Sequence, residues 1–96
     1  MGSNRAVPFG FKMEFGRIVI FPEEASRVTY LFDQYLLGAS YKGLSDEMNG
    51  YGVHYDGEKP WNKNMIARIL QDCRYTGEGG FPRIIDPAVF QTVSYT

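Results

Sequence analysis

The chain has 96 residues, a formal net charge of −1 and one cysteine, Cys73. That length suits one domain with one modest core, and the lone thiol excludes an internal disulfide and a cysteine-based zinc site. No apolar run reaches the roughly 18 residues of a membrane-spanning helix, and no segment has the apolar centre of a signal peptide.

Apolar residues make up 44% of the chain and aromatics 16%, enough to bury a core without metal or disulfide. The cysteine usage fits a reducing cytosol. Met1-Gly2-Ser3 reads as a cloning remnant, so residues 4–96 are expected to be a domain excised from a longer protein. A negative balance is unpromising for a nucleic-acid binder, which needs cations against phosphate. The charge is unevenly placed, however. Residues 59–83 hold Lys59, Lys63, Arg68, Arg74 and Arg83 against Asp72 and Glu78, a local balance of +3, while the remainder stands at −4.

Phe9, Phe11, Met13 and Phe15 alternate with Gly10, Lys12 and Glu14, the period of a strand. Phe15-Gly16 makes a turn and Ile18-Val19-Ile20-Phe21 returns. A short N-terminal hairpin covering one side of a helical core is therefore expected.

Pro22-Glu23-Glu24 opens the first helix, with proline at a position that needs no amide donor and carboxylates at the positive end of the dipole. Ala25, Val28, Leu31, Phe32, Tyr35 and Leu36 then share one face, and Gly38 supplies a left-handed stop. Ser40 caps a second helix with Leu44 and Met48 inward, which Asn49-Gly50 and Gly52 end. The Gly38-Ala39-Ser40 link is short enough for a helix-turn-helix-like corner.

Val53 to Pro60 contains the turn dipeptide Asp56-Gly57 and reads as a loop or small wing. Trp61 is either a core plug or a platform for a nucleotide base, and a lone Trp before a helix is more often the former. Asn62 caps a third helix running to about Asp72, with Met65, Ile66, Ile69 and Leu70 inward. Lys63, Asn64, Ala67, Arg68 and Gln71 face outward. Past Cys73, the glycines 77, 79 and 80 read as a hinge, and Asp86-Pro87 starts a last helix through Val89, Phe90 and Val93.

Such a third helix is about 16 Å long, and the major groove of B-DNA is about 12 Å wide and admits a helix. Lys63, Asn64, Arg68 and Gln71 are the side-chain types that read base edges: Arg and Lys to guanine, Asn and Gln to adenine. Tyr41 and Lys42 at the start of helix two, with Lys59, Arg74 and Arg83, are candidates to hold phosphates. A solvated polar face, common on surface helices, accounts for the same residues without DNA, and the polar face alone does not decide which helix enters the groove.

Nothing here looks catalytic. His54, the one histidine, has no triad spacing with Ser40 or Ser45, and with Cys73 it cannot complete a zinc site. Glu23-Glu24 and Asp46-Glu47 are explained by helix-start electrostatics and solvation. Gly77-Glu78-Gly79-Gly80 lacks the lysine of a phosphate loop. No metal, cofactor or catalytic residue is expected.

An ordered set runs along the chain: Pro8-Phe9-Gly10-Phe11, Glu24-Ala25, Gly38, Ser40, Leu44, Met48-Asn49, Gly52-Val53, Trp61, Ile69-Leu70, Tyr75, Gly77, Ile84-Ile85 and Phe90. This set resembles the recombinase (DNA-binding) domain of large serine recombinases, the resolvase/invertase-related integrases and transposases. Two departures stand out: Asp72-Cys73 where the family commonly shows Asn-Pro, and Met48 in place of a leucine. The resemblance implies a small helical α+β domain with a helix-turn-helix or winged-helix-like core behind a short N-terminal β-hairpin. It implies a parent, bacterial or carried by a phage or mobile element and cytoplasmic, that cuts and rejoins DNA through a serine in another domain. The expected partners are duplex DNA at a recombination half-site and the other domains and subunits of the parent, with no membrane and no small-molecule substrate. The alternative is a protein-interaction module within that assembly, presenting Arg27, Thr29, Asp33 and Gln34 of the first helix.

Overall fold

The computed structural model describes residues 7–53, 55 and 60–95. In these, an antiparallel hairpin of β1 (Phe11–Glu14) and β2 (Arg17–Ile20) precedes α1 (Pro22–Leu36), α2 (Tyr41–Gly50) and α3 (Lys63–Leu70). Two 3-10 turns, Cys73–Thr76 and Glu78–Gly80, lead to α4 (Pro87–Ser94). The fold is thus small and α+β, with four α-helices among the described residues and the hairpin at the N-terminal side.

The helix signals act as the spacing predicts. Pro22 sits at the start of α1 with Glu23 and Glu24 in its first turn, and Ala25, Val28, Leu31 and Phe32 are buried. Gly38, at φ +108, closes the helix: its N–H donates to the Tyr35 carbonyl and that of Ala39 to the Gln34 carbonyl, both at 3.0 Å. That reciprocal pair, which needs a left-handed residue, satisfies the last carbonyls. Ser40 Oγ then accepts from Gly43 N at 3.0 Å and starts α2, which buries Leu44 and Met48. Asp86 likewise caps α4, accepting from Ala88 N at 2.8 Å.

The core lies between α1, α2 and α3, with aromatic side chains from the connecting segments filling it. Trp61 is 4% exposed, edge-on to Phe9 at 5.0 Å and to Tyr55 at 5.3 Å. Its Nε1–H donates to the Val53 carbonyl at 3.2 Å, so both its apolar body and its polar handle are satisfied inside the protein. Trp61 is the core plug. Tyr75 is buried too, stacked on Phe11 at 5.6 Å, and its hydroxyl donates to the Phe9 carbonyl at 2.6 Å. Glu24, besides its place at a helix start, accepts from Gly10 N at 2.8 Å. These bonds lash the N-terminal segment to the helices.

Four expectations are corrected. The hairpin does not lie flat on the core: Phe9 and Phe11 are buried, but Met13 is 54% and Phe15 96% exposed. Phe15 and Gly16, at φ +53 and +77, form a two-residue turn of the primed type that carries the strand ends past the helices. In α1 the apolar stripe stops at Tyr35, since Leu36 is exposed. In α3, Met65 packs half-buried against the core as expected, but the helix ends at Leu70 rather than near Asp72. Asp72 adopts extended dihedrals and its Oδ1 accepts from Arg74 N at 3.1 Å, starting a 3-10 turn in place of continuing the helix. The supposed hinge at residues 77–80 is turn structure, pinned where Ile84 N and Ile85 N both donate to the Tyr75 carbonyl at 2.8 and 2.9 Å. The expected Asp56-Gly57 turn and His54 lie outside the described residues.

Candidate nucleic-acid interface

The third helix is short, and its direction is set at both ends. Asn62 Oδ1 accepts from Met65 N at 3.0 Å and caps it. Ile66, Ile69 and Leu70 bury one side, which leaves Lys63, Asn64 and Arg68 exposed on the other. Just ahead of the cap, Asn49 in the last turn of α2 holds the backbone of Trp61. At the opposite end Gln71 lines one cavity with Tyr41, in the first turn of α2. The two helices therefore run antiparallel, the start of α3 beside the end of α2. Eight residues span about 12 Å, shorter than the sequence pattern suggests but still the width of a major groove.

Among the described residues, no side chain hydrogen-bonds or pairs with Lys63, Asn64 or Arg68. Arg68 sits in the last turn of α3, where a cation also complements the negative end of the dipole. Gln71, the residue that ends the helix, is exposed and lies beside Tyr41 on one cavity wall. The Tyr41 phenol is held above the ordinary tyrosine range chiefly by its hydrogen bond with Tyr35, with burial adding to it and Gln71 pulling the other way. Tyr35 and Tyr41 also stack at 5.4 Å.

The proposed phosphate contacts are scattered rather than clustered. Lys42, in the first turn of α2, pairs with Asp46 at 3.0 Å, and both side chains are well exposed; such a pair is weak and easily exchanged. Arg83 is exposed next to Gly77, and no described residue pairs with it. Lys59 lies outside the described residues. Arg74 is different. Its Nε and Nη2 donate to the two carboxylate oxygens of Asp72 at 2.9 and 2.7 Å, and its guanidinium lies 5.4 Å from the centre of the Phe81 ring. Those hydrogen bonds raise the pKa of Arg74, against the opposing effect of burial.

Sequence reasoning had placed Arg74 and Asp72 separately and missed the fork between them. The only hint was an acid and an arginine two residues apart just past a helix. It also missed a clasp between α1 and α2, where Tyr30 donates to Glu47 at 2.5 Å and Arg27 sits 5.2 Å from the Tyr51 ring. Among the described residues no three His, Cys, Asp or Glu side chains group as metal ligands, and no helix is long and apolar enough to cross a membrane.

A family model described as Recombinase matches residues 22–94, most of the chain. The chain belongs to the Recombinase family. Its fold is similar to one in a crystal structure of an LSR (large serine recombinase)–DNA complex, with a TM-score of 0.74 over 98% of this chain at 18% identity. It is equally similar, at TM-score 0.74 and 18% identity over 99% of this chain, to a structure described as "Sequence Requirements of the Listeria innocua prophage attP site". The chain spans only 32% and 43% of those two proteins. At that identity the likeness is one of fold. None of the curated proteins matches this chain. The matched Recombinase segment contains all three helices of the core and every candidate DNA-facing residue named above.

Proposed function

We propose that this Recombinase-family domain binds duplex DNA at one half of a recombination site, within a serine recombinase whose strand chemistry belongs to another domain. The observation that carries the reading is the outward face of α3. Lys63, Asn64 and Arg68 stand exposed, without partners among the described residues, on a helix whose other side is buried in the core. Their donors match the acceptors of guanine and adenine in the major groove. Lys42 and Arg83, with Lys59, then supply phosphate contacts that set register and carry no sequence information. The chain's net charge of −1 means that little nonspecific attraction helps the isolated domain, so its affinity in the parent rests on linkage to other DNA-contacting domains.

Arg68→Ala, titrated against a selected duplex and a scrambled one, tests this. If Arg68 reads guanine, the loss is about 1–3 kcal/mol on the selected site and far smaller on the scrambled one. An equal loss on both makes Arg68 a phosphate contact only.

A second reading, an interaction module for other subunits, draws on the exposed Met13 and Phe15 at the hairpin tip. A domain that associates with its parent's other domains without DNA, and binds no duplex at low salt, fits that reading and not the first.

A further inference from the structure

We propose that Arg74, held by Asp72 and Phe81, is a specificity-determining residue whose free guanidinium edge reads a guanine in the major groove. The inference rests on the DNA-binding reading above and gives Arg74 a different task from the phosphate contact that its sequence position suggested.

The geometry starts with Asp72. Its extended backbone and its bond to Arg74 N fix the carboxylate at the mouth of the 3-10 turn that directly follows the reading helix. The carboxylate then takes one side of the arginine fork, Nε to Oδ1 and Nη2 to Oδ2. The face of the guanidinium rests against Phe81, itself packed on buried Phe11 at 5.2 Å. Side and face are thus both used. What remains includes the terminal edge: the outer hydrogen of Nη2 and the Nη1 hydrogen beside it. They form two parallel donors directed away from the chain, and the Arg74 side chain is 47% exposed against 17% for Asp72.

Two acceptor types fit such an edge, the O6/N7 pair of guanine and the oxygens of a phosphate. Charge decides between them. Arg74 and Asp72 together are neutral, and a phosphate drawn to Arg74 would approach a carboxylate already in contact with it. Guanine is neutral and meets no such repulsion, yet accepts the same two bonds. The pinned side chain has also already lost the rotamer freedom that a free arginine gives up on binding.

The test uses the 96-residue chain, a pool of duplexes with a randomised core, and salt titrations between about 50 and 200 mM. Wild type is expected to enrich guanine at a position that Arg74→Ala no longer selects, with discrimination there falling by between about 5- and 150-fold and the salt dependence nearly unchanged. Arg74→Lys should also lose it, because a point donor cannot replace the fork. Asp72→Asn keeps a side chain able to cap the turn but removes the charge. It should relax the same guanine preference while random duplexes bind more tightly, with a salt slope steeper by about one. Amide spectra of each variant establish that the fold is retained. Equal weakening of all duplexes by Arg74→Ala, with a shallower salt slope, overturns the proposal in favour of a phosphate contact. Guanine preference that survives Asp72→Asn overturns the role given to Asp72. Wild type that selects a site which Arg74→Ala selects equally well defeats this inference alone, whereas wild type that binds no duplex defeats the DNA-binding reading itself.

Discussion

Asn49 binds both backbone polar groups of Trp61 with one side chain: its Oδ1 accepts from Trp61 N at 2.8 Å and its Nδ2 donates to the Trp61 carbonyl at 3.1 Å. The last turn of α2 therefore determines where Trp61 enters the core and, two residues on, where α3 begins. Asn49→Ala leaves a part-buried donor and acceptor without a partner at once. The expected cost is about 1–3 kcal/mol, read as a lower urea midpoint at unchanged slope. Asn49→Asp keeps the acceptor but sets a carboxylate oxygen against the Trp61 carbonyl, and should cost no less.

Tyr75 makes the equivalent tie for the N-terminal segment. Tyr75→Phe keeps the stack on Phe11 and removes only the hydroxyl that serves the Phe9 carbonyl. Since that bond is buried, the expected loss is about 1–3 kcal/mol in denaturant unfolding, with the helical circular dichroism of the folded state unchanged. No loss would mean that water satisfies the Phe9 carbonyl as well as the tyrosine does.

Gly10 and Gly16 both have positive φ but differ in their surroundings. A Cβ on Gly10 would sit 3.1 Å from Val28 Cγ2 and 3.2 Å from Ile84 Cδ1, whereas one on Gly16 meets nothing within 4 Å. Gly16→Ala should cost only the backbone strain, about 1 kcal/mol. Gly10→Ala adds overpacking at the junction of α1 and the 84–85 segment, and should cost about 1–3 kcal/mol more. Parallel melts of the two variants separate strain from crowding.

The clasp between α1 and α2 has a pH signature. The hydrogen bond to Glu47, and secondarily one with Tyr51, pushes the Tyr30 phenol above the ordinary tyrosine value. The folded state thus holds a proton that the unfolded chain releases near pH 10. Whatever stability this bond adds is present in full below that pH and fades as pH rises beyond it. An absorbance titration of tyrosinate should show Tyr30 and Tyr41 ionising after the other tyrosines, and Tyr30→Phe should remove the later of those two steps.

The three core helices were legible in the sequence because each carries its own period: Val28, Leu31 and Phe32 on α1, Leu44 and Met48 on α2, Ile66, Ile69 and Leu70 on α3 all fall inward as spaced. Caps at Ser40, Asn62 and Asp86 were legible for the same local reason. What escaped was non-local or competed with the period. Alternation in Phe9–Phe15 tells which side chains share a face of a strand, but not whether anything stands opposite, and Met13 and Phe15 face solvent. Asp72 suits a helix by pattern, yet its side chain bonds Arg74 and diverts the backbone. The glycines at 77–80 look like a hinge until Tyr75 is seen holding residues 84 and 85. At the candidate interface, the exposure of Lys63, Asn64 and Arg68 on α3 was legible, whereas Ala67 is half-buried and Gln71 lies past the helix end. The Asp72–Arg74 fork was not legible, because a helical reading places residues two apart on different faces.

The most direct measurement is an amide NMR titration of the domain with a mixed duplex pool at about 50 mM salt, repeated at higher salt. The account predicts salt-sensitive shifts concentrated in residues 62–75, with the hairpin tip around Phe15 unmoved. Shifts centred on residues 40–44 would keep DNA binding but transfer the reading element to α2. An unchanged spectrum at low salt would contradict the central claim that this fold, by itself, meets DNA through α3.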